Sequence, residues 1–516
     1  MSGQVESTDV LIVGAGPTGL MLANWLAKLD IDCVLIDSKS GPTRESRALG
    51  VQGRTMEIYD QLGIASEVLQ ASQIAEGIAP GYEDKPFGYV RFLTLGAGST
   101  PFPHIYIFEQ SRNEELLSGN LQRLGCGVRW EQRVTALQDE VLDDGGTGVI
   151  ATVEGPDGQA GIRARYCVGT DGTSSAVRKL REIPFEGSTN QHTFYGADAQ
   201  GVTGLLPASI NLRFGAEYML LGFPMGAGGH DRLLGIVRQQ PGREDDEPVE
   251  SSIRPMLRRV FGVSYESSSW FATYRVHHRV AAAFRDGPVF LAGDAAHVHS
   301  PVGAQGMNTG LQDAHNLAFK LAAVIRSEAP DAYLDRYAAE RRPVALRLTR
   351  TTDRLFGVVT SDNFVLRQVR RFLLPLAAPV GIRVIPRLAG GSRLFEYISQ
   401  VRIHYWMSDR ARQDASGRRG RVVGRRLPWT GQNFETLKAT RWQAHVYGDI
   451  NAGRLEALRS ELDVEVLTFP ASPRKGLADG KVFLIRPDGF VVAEAFADQA
   501  ATAFQAAIRD HVGTTS

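Results

Sequence analysis

The chain has 516 residues, which is too long for one typical hydrophobic core and suggests two or three domains. Its 57 basic and 57 acidic side chains give a formal net charge of zero, which argues against nucleic acid or an anionic membrane as a partner. Hydrophobic residues make up 43% and charged residues 22%, and the most apolar late stretch, Phe372 to Ile382, contains two prolines and is too short to span a bilayer.

The cysteines Cys33, Cys126 and Cys167 lie far apart in the sequence. This spacing favours neither a disulfide framework nor a Cys-ligated metal site, and it predicts a reducing compartment. The polar start, Met1 to Thr8, lacks a secretory pattern. We therefore expect a soluble cytoplasmic protein that binds no metal.

The first predicted unit is a β-α-β segment. Val10 to Val13 is a continuous apolar run, typical of a buried parallel strand. A Gly-rich turn and a helix from Leu20 to about Leu29 follow, and a second strand, Cys33 to Ile36, ends at Asp37.

Alternating segments dominate from about Val202 to Val280 and predict antiparallel strands, among them Ile210 to Phe214, Tyr218 to Phe223 and Leu233 to Val237. Val289 to Ala292 again has the pattern of a buried strand.

Helix is predicted over Leu311 to Ile325 and again from Tyr333 to about Leu355, with Asp331 as a cap. The Arg- and Gly-rich stretch Ser416 to Arg426 is typical of a linker.

A small α/β unit is predicted after that linker. Trp442 to Tyr447 and Val464 to Phe469 are strand-like, and Arg454 to Leu462 between them is helical. Pro487-Asp488-Gly489 between two apolar runs predicts a hairpin, and a helix is expected over Ala500 to His511.

The turn Gly14-Ala15-Gly16-Pro17-Thr18-Gly19 fits the dinucleotide-binding pattern G-x-G-x-x-G between a strand and a helix. Gly14 permits the tight turn, Gly16 lets the backbone approach a pyrophosphate, and Gly19 lets the helix pack on the strand. The helix amino terminus faces the phosphate charge. Asp37 is placed to accept hydrogen bonds from a ribose. By itself this pattern does not decide between FAD and NAD.

Two later strands end in further glycine- and aspartate-containing turns. Asp171-Gly172 follows the strand at Tyr166 to Gly169, and Gly293-Asp294 follows the strand at Val289 to Ala292. With the Gly-rich turn, this order and spacing resembles the single-component (class A) FAD-dependent aromatic hydroxylases, in particular the phenol and aromatic-polyketide hydroxylases. The resemblance covers residues 9 to about 350.

The resemblance implies a role for each site residue. Asp294 would bind the ribityl chain of FAD, and the backbone N–H groups of Met307 and Asn308 would face the flavin ring. Asp171 would serve both FAD and NAD(P)H. The remaining matches to cofactor-contacting positions of the family are Pro301, Gly303 and Gly306 beside the ring, Arg47 near the pyrophosphate, Gln110 at the flavin and Val134 at the adenine. Asp37 departs from the pattern, because the family more often has Glu there.

Structural alternatives stand beside several of these roles. Arg47 is also compatible with a surface ion pair, and Gln110 with a polar helix start. His297 and His299 lack an apparent third metal ligand, and Asp313 and His315 have the pattern of polar positions on a packed helix.

The polar candidates for the substrate wall, expected from residues 185–285, are His192, Arg213, Tyr218 and Arg238. Trp270, Tyr274 and Phe284 are expected in the core or the pocket wall. No catalytic base is identified.

The resemblance implies a monooxygenase that uses NAD(P)H and O2 and hydroxylates a phenolic or polyketide-type substrate through a flavin C4a-hydroperoxide. FAD would be non-covalent, NAD(P)H a transient co-substrate, and a homodimer is possible. Two alternatives stay open. One is a Baeyer–Villiger-type or antibiotic-modifying flavin monooxygenase, and the other is a flavin-binding protein without turnover.

The predicted fold class is α/β. It has a Rossmann-like FAD-binding domain (residues 1–184, with a short substrate-side insertion near 76–100, and 286–355), into which an antiparallel-sheet substrate domain (185–285) is inserted. A helical connector (356–415) leads to a thioredoxin-like domain (416–516). That last domain contains no cysteine, so redox activity through a C-x-x-C pair is excluded. We expect it to have a structural role or to form a subunit contact.

Overall fold

The computed structural model describes residues 5–43, 48–215, 218–226, 228–237, 249–299, 305–360, 390–407 and 422–513, together with the single positions 368 and 379. The strands, in chain order, are β1 (Val5–Val13), β2 (Cys33–Ile36), β3 (Gly50–Val51), β4 (Gln73–Ala75), β5 (Gly77–Tyr82), β6 (Lys85–Pro86), β7 (Val90–Arg91), β8 (Ile105–Ile107), β9 (Val128–Arg129), β10 (Arg133–Val141), β11 (Thr147–Gly155), β12 (Gly158–Gly169), β13 (Phe185–Gln200), β14 (Ser209–Phe214), β15 (Met219–Gly226), β16 (His230–Val237), β17 (Ser267–Ala281), β18 (Arg285–Asp286), β19 (Val289–Leu291), β20 (His297–Val298), β21 (Gln443–Tyr447), β22 (Glu465–Phe469), β23 (Lys481–Ile485) and β24 (Val491–Phe496).

The helices alternate with these strands along most of the chain. They are α1 (Pro17–Lys28), α2 (Gly53–Leu62), α3 (Ala65–Ala71), α4 (Phe92–Gly96), α5 (Gln110–Arg123), α6 (Ala176–Leu180), α7 (Glu250–Phe261), α8 (Gly306–Ile325), α9 (Asp335–Thr360), α10 (Gly390–Ile398), α11 (Ala452–Glu461) and α12 (Ala500–Val512).

The first sheet has parallel strands at its centre. β1 lies between β2 and β12, β2 pairs with β9, and β12 also pairs with β19, all in parallel. The antiparallel strands β11 and β10 continue from the first half of β12. β1 and α1 contribute fully buried apolar residues to the core of this layer, because a parallel sheet is covered on both faces. The predicted β-α-β unit is confirmed.

The second sheet is mostly antiparallel, with the order β20-β17-β13-β16-β15-β14-β5-β6. Its exception is the parallel pair β14 and β5, which brings the segment Gly77–Tyr82 into this sheet. α7 packs on one face, where Leu257 and Phe261 join Tyr195 and Leu220 in one core cluster. A separate cluster with Phe194 lies on the other face.

The third sheet lies in residues 443–496, with the order β22-β21-β23-β24. β21 and β22 are parallel and are connected through α11, whereas β21, β23 and β24 run antiparallel to one another. The predicted hairpin is confirmed, with Gly489 at φ +80° in its turn.

The mixed α/β architecture with a Rossmann-like sheet agrees with the predicted fold class at that level. The second long helix, α9, reaches Thr360, five residues beyond its predicted end. Most of the expected connector and residues 416–421 of the expected linker lie outside the described residues. Within the described part of the chain, no helix is both long and apolar enough to cross a membrane.

Candidate active site

The carboxyl ends of four parallel strands meet in one row of the first sheet. Val13 pairs with Ile36 on one side and with Gly169 on the other, and Gly169 pairs with Leu291. Val13 is followed by the Gly-rich turn and Ile36 by Asp37. Gly169 leads to the Asp171-Gly172 turn, and Leu291 leads to the Gly293-Asp294 turn. Strand register alone therefore brings together motifs that are almost 280 positions apart, at the edge where open α/β sheets bind ligands.

The Gly-rich turn has the geometry of a phosphate cradle. Gly14 has φ +108°, and a Cβ there would lie 2.7 Å from the backbone of Thr170 and Asp171. A Cβ on Gly19 would lie 1.9 Å from the carbonyl oxygen of Gly14, whereas a Cβ on Gly16 would have no atom within 4 Å. Two glycines are thus required by packing, and the third faces open space.

α1 begins at Pro17, and no side chain caps its amino terminus. An α-helix leaves its first N–H groups without intrahelical acceptors, and its amino terminus attracts negative charge. The open space beside Gly16 and this helix start fit a pyrophosphate group.

Thr170 and Thr18 lie where the Gly-rich turn packs against the two later turns. Thr170 Oγ1 lies 3.0 Å from the carbonyl oxygen of Val13 and 2.7 Å from that of Gly14, and its hydroxyl can donate to either. A Cβ on Gly293 or on Gly310 would lie 2.4 Å from Thr18 Oγ1. The close approach of α1, α8 and the Gly293-Asp294 turn therefore depends on residues without side chains.

Asp37 lies at the end of β2 and is 7% exposed. Its Oδ2 accepts a hydrogen bond from the N–H of Ala15 at 2.7 Å, and its Oδ1 accepts one from the N–H of Lys39 at 2.8 Å. The carboxylate thus holds the Gly-rich turn against the chain that follows β2. Each oxygen keeps a further lone pair with which it could accept from a ribose hydroxyl.

Val134, predicted at the adenine, is buried in β10. The chain just before it crosses the end of β2, because the N–H of Gln132 donates to the carbonyl oxygen of Asp37 at 2.9 Å and the N–H of Glu131 donates to that of Lys39 at 2.8 Å. Val134 and Asp37 therefore belong to the same end of the site.

Asp294 lies in a 3-10 turn, Gly293–Ala295, and its side chain is exposed. A buried carboxylate on α8 supports this turn. Asp313 accepts from the N–H of Gly293 at 3.1 Å and from Arg341 Nε at 2.6 Å, and it lies 2.6 Å from His297 Nε2. Burial alone would raise the pKa of the Asp313 carboxyl, but Arg341 and the His297 ring hold it below its ordinary value.

Asp313 was predicted only as a polar position on a packed helix, and its support of the turn was missed. The available signal was a lone acidic residue inside the apolar stretch Leu311 to Ile325, which needs a partner when buried. Within the described part of the chain, no group of three or more acidic, His or Cys side chains is arranged to hold a metal ion.

Asp171 lies beside the Gly-rich turn and caps α6. Its Oδ2 accepts from the N–H groups of Ala176, at 2.6 Å, and Val177, at 3.2 Å, and its Oδ1 accepts from the Ser175 hydroxyl. Burial raises the pKa of the Asp171 carboxyl despite these bonds. Gly172 follows at φ +77°, a conformation that favours glycine.

Arg178 connects the two aspartate-containing turns and was given no role in the sequence analysis. Its Nη2 donates to the carbonyl oxygen of Thr173 at 2.8 Å, and its Nη1 donates to that of Ala295 at 3.0 Å. The guanidinium lies 3.9 Å from the centre of the Phe185 ring, at the first residue of β13. Arg178 therefore joins both turns to the second sheet.

The start of α8 is held by the side chain of Asn308. Asn308 Nδ2 donates to the carbonyl oxygen of Gly50 at 2.7 Å, and Asn308 Oδ1 accepts from the N–H of Gln52 at 3.0 Å and from Thr55 Oγ1 at 2.7 Å. No side chain caps α8, which begins at Gly306. Met307 follows Gly306, and its sulfur lies 3.6 Å from Asn113 Nδ2.

Gln110 is the first residue of α5. Its N–H donates to the carbonyl oxygen of Ala48 at 3.0 Å, and its Nε2 donates to Glu114 Oε1 at 2.9 Å. These contacts are those of a polar residue at a helix start, which was the alternative interpretation of Gln110. Its contact with a flavin stays a prediction. Arg47, Pro301 and Gly303 lie outside the described residues.

The second sheet has two faces, and the polar residues predicted for the substrate wall that the structure describes lie on only one of them. Arg213 pairs with Leu220, which belongs to the cluster against α7, and Tyr218 packs against that same cluster. These two side chains therefore lie on the face that packs against α7, opposite the face that carries Phe194. Arg238 and the side chain of His192 lie outside the described residues.

The opposite face of the second sheet is apolar, and we call it the wall face. Across β13, β16, β15 and β14 its neighbours in register are Phe194, Ile236, Met219 and Phe214, followed one row further by Leu234, Leu221 and Leu212. Phe194 stacks on Tyr274 with ring centres 5.8 Å apart. The same cluster contains Leu49 and Ile107, which flank the segments that contact Asn308 and Gln110.

A partly buried ion pair interrupts this apolar face. Arg232 pairs with Asp198, and its guanidinium lies 5.2 Å from the centre of the Trp270 ring. The pair was missed because strand partners of opposite charge cannot be assigned before the register is known.

Phe284 is fully buried and stacks on His297 at 5.9 Å, so it belongs to the core of the first layer.

The chain is similar in sequence and in fold to several known proteins. A family model described as FAD binding domain matches residues 7–352. A 6-methylpretetramide 4-monooxygenase from Streptomyces rimosus is 31% identical over 530 residues, covering 96% of this chain and 92% of that protein. A 12-dehydrotetracycline 5-monooxygenase/anhydrotetracycline 6-monooxygenase from Streptomyces rimosus is 35% identical over 357 residues, covering 67% and 68%. Among solved structures, an anhydrotetracycline hydroxylase from Streptomyces rimosus has a TM-score of 0.75 and 29% identity, and the match covers 99% of this chain and 100% of that one.

Proposed function

The chain belongs to the FAD-dependent aromatic monooxygenases, and from this membership we propose that its substrate is a fused-ring, polyketide-type phenol, hydroxylated with O2 and NAD(P)H. The observation that carries the substrate class is the wall face. Its aromatic and aliphatic side chains extend over four strands, an area suited to a flat ring system larger than one phenol. The relatives that support this choice are named for tetracycline-type substrates.

We propose the following FAD contacts for the described residues. The pyrophosphate lies beside Gly14, Gly16 and the start of α1, where Pro17, Thr18 and Gly19 form the first helical turn. Asp37 and Val134 bind the ribose and adenine end. Asp294 binds the ribityl chain, next to Gly293, and Asp171-Gly172 lies where FAD and NAD(P)H both approach. Gln110, Gly306, Met307 and Asn308 lie at the flavin ring. Arg47, Pro301 and Gly303 complete this set from the sequence alone.

Bound FAD supplies the chemistry, since it accepts a hydride from NAD(P)H and activates O2 for transfer of one oxygen atom to the ring. The protein contributes position and charge. The amino terminus of α8 favours negative charge at the flavin edge, and the apolar wall face excludes water from the substrate. Asp313 and Arg178 hold the turns that carry Asp294 and Asp171 in place.

We also propose the domain division 1–184, 185–285, 286–355 and 416–516, with the connector 356–415 between the last two. The separate antiparallel second sheet and the separate third sheet support it. The order β21-α11-β22-β23-β24-α12 supports a thioredoxin-like topology for the last unit. A homodimer is kept as part of the proposal.

The substrate class is tested by measuring NAD(P)H oxidation and product mass with two sets of compounds, monocyclic phenols and fused-ring phenolic polyketides. We expect the polyketides to stimulate NAD(P)H oxidation and to gain one oxygen atom as a hydroxyl. Turnover of monocyclic phenols alone would contradict the substrate class. A product in which a ketone has become an ester would instead identify a Baeyer–Villiger reaction.

The proposed contacts are tested by comparing Asp294→Ala with Asp37→Glu. Losing the Asp294 carboxylate removes a charge-assisted hydrogen bond, which is worth about 1.5–3 kcal/mol, whereas Asp37→Glu retains the acid. We expect the FAD dissociation constant to rise about tenfold to hundredfold for Asp294→Ala and much less for Asp37→Glu. Equal dissociation constants, measured by fluorescence titration of the apoprotein, would refute the assignment of Asp294.

A further inference from the structure

One face of α2 is bound by the carboxy-terminal unit, which we define as residues 422–513. Four positions of α2 contact this unit. Arg54, Glu57 and Gln61 are spaced by three or four residues and share one helix face, and Asp60 lies beside Gln61. The contacts are Arg54 Nη2 to the carbonyl oxygen of Asp488 at 3.0 Å, Glu57 Oε2 to Arg426 Nε at 3.4 Å, Asp60 Oδ1 to Lys438 Nζ at 3.2 Å, and Gln61 Nε2 to the carbonyl oxygen of Leu437 at 3.2 Å.

The start and the other side of α2 hold the beginning of α8. Asn308 accepts from the N–H of Gln52 and from the hydroxyl of Thr55, as described above. Tyr59, one turn further on, donates its hydroxyl to Asn113 Oδ1 at 2.7 Å. Asn113 in turn contacts the sulfur of Met307. A single helix of ten residues therefore contacts both the carboxy-terminal unit and Asn308, and it reaches Met307 through Asn113.

At Arg54 and Glu57 the contact with the carboxy-terminal unit is buried and charged. Arg54 and Glu57 are each 3% exposed, and Arg54 Nη1 donates to Glu57 Oε2 at 3.1 Å. The Arg54 guanidinium also lies 5.5 Å from the centre of the Phe490 ring. Removing one partner of such a buried pair leaves a charge without compensation, so this face of α2 resists displacement.

We propose that the carboxy-terminal unit fixes the start of α8 through α2, with Arg54 as the positioning residue. This inference rests on the proposed flavin contacts of Met307 and Asn308. The carbonyl oxygen of Asp488 and the ring of Phe490 hold Arg54, and thereby the first turn of α2, where Gln52 and Thr55 bind Asn308. Loss of this support displaces the helix amino terminus that favours the anionic, reduced form of the flavin.

The first test is Arg54→Met in the full-length, FAD-loaded protein. We expect the midpoint potential of the bound flavin to become more negative, because the reduced form loses stabilisation, and we expect the visible circular dichroism of the flavin to change. The matched control is Lys438→Met, which removes a half-exposed contact between the same two parts. The control should leave both signals at their wild-type values.

A second variant separates positioning from folding. Arg54→Lys keeps a positive charge beside Glu57, so we expect it to retain most of the wild-type stability. It cannot reproduce the fork that contacts both Glu57 and the Asp488 carbonyl, so we expect the same direction of change in potential. A wild-type potential in a stable Arg54→Lys protein would overturn the inference.

Thr55→Val distinguishes this inference from the proposed flavin site. It removes one donor to Asn308 without touching the carboxy-terminal unit, and we expect it also to make the potential more negative. If Thr55→Val changes the potential and both Arg54 variants leave it unchanged, the role of the carboxy-terminal unit is wrong and the flavin site stands. If none of the three variants changes it, the proposed flavin contact at the start of α8 fails.

Discussion

Glycines of the Gly-rich turn have different physical reasons for lacking a side chain. Gly14 has a positive φ, and a Cβ there would overlap the backbone of Thr170 and Asp171. A Cβ on Gly19 would overlap the carbonyl oxygen of Gly14. Gly16 has φ −78° and open space where a Cβ would lie. Packing of the protein itself therefore requires Gly14 and Gly19 but not Gly16, for which the proposed pyrophosphate contact gives a reason.

This difference predicts that one alanine substitution mainly affects stability and the other mainly affects FAD binding. Gly19→Ala should lower the free energy of unfolding of the apoprotein by about 1–3 kcal/mol, because the added methyl overlaps backbone. Gly16→Ala should lower it by less than about 1 kcal/mol but raise the FAD dissociation constant at least about tenfold. Urea unfolding and FAD titration measure both quantities. Normal FAD affinity in Gly16→Ala would contradict the pyrophosphate assignment.

Strand β14 illustrates how one element contributes to two environments. Leu212 pairs with Leu221 on the wall face, and the next residue, Arg213, pairs with Leu220 on the α7 face. Side chains alternate along a strand, so neighbours in sequence point to opposite faces. A polar residue in the predicted substrate region was therefore insufficient evidence for a substrate contact.

The alternation gives a test of the wall face. Leu212→Ala should raise KM for the substrate by about tenfold or more, since each lost methylene contact costs about 1–3 kcal/mol. Arg213→Met should leave KM unchanged, whatever its effect on stability. Steady-state kinetics of both variants measures this. A larger KM effect for Arg213→Met would mean that the two faces have been assigned the wrong way round.

Strand β21 contains a titratable group whose burial makes stability depend on pH. His445 is fully buried, and its Nε2 lies 2.8 Å from Gln443 Oε1. Burial lowers the pKa of His445 to about 3 from 6.5. The folded protein therefore keeps this ring neutral at pH values where the unfolded chain is protonated, and stability is lost as the pH falls from 6.5 towards 3.

His445→Gln should reduce this acid sensitivity. A single such histidine contributes at most about 1.4 kcal/mol per pH unit in that window. We expect the variant to show a smaller slope of unfolding free energy between pH 6.5 and 4.5 and an unchanged slope between pH 7 and 8, where both states are neutral. An unchanged slope on the acid side would show that His445 is protonated in the folded protein.

At the scale of the whole molecule, the carboxy-terminal unit shares a buried charge network with the first layer. Arg486 donates to Glu340 of α9 at 2.6 and 3.2 Å and to Asp488, and Lys320 of α8 donates to Glu340 at 3.0 Å. Burial lowers the pKa of Lys320 to about 8, even though Glu340 acts in the opposite direction. The unit is thus integrated with the body that holds the proposed flavin site.

Arg486→Met should therefore destabilise the whole protein. Removing one partner of a buried ion pair costs about 3–5 kcal/mol, because the other charge stays buried. The matched control is Arg441→Met, at an exposed pair with Glu465 whose closest atoms are 2.8 Å apart, and it should cost less than about 1 kcal/mol. Calorimetry measures both. Similar losses would contradict a structural role for the network.

The sequence by itself determined those features that depend on local pattern. A continuous apolar run, a Gly-rich turn and a helix specify the β-α-β unit, and glycine- and aspartate-containing turns after two further strands identified the cofactor family, as the comparisons confirm. Each of these signals lies within one short continuous segment of the chain, so a single sequence is enough to recognise it.

The tertiary structure alone decided which distant side chains meet. The register that places Val13 between Ile36 and Gly169, the face on which Arg213 lies, and the partners of Asp313 and Arg54 join residues tens to hundreds of positions apart. A one-residue shift in register moves every side chain of a strand to the other face. The partner of a buried charge cannot be predicted from the sequence either, because it comes from another element. Only the packed molecule specifies which charge compensates which.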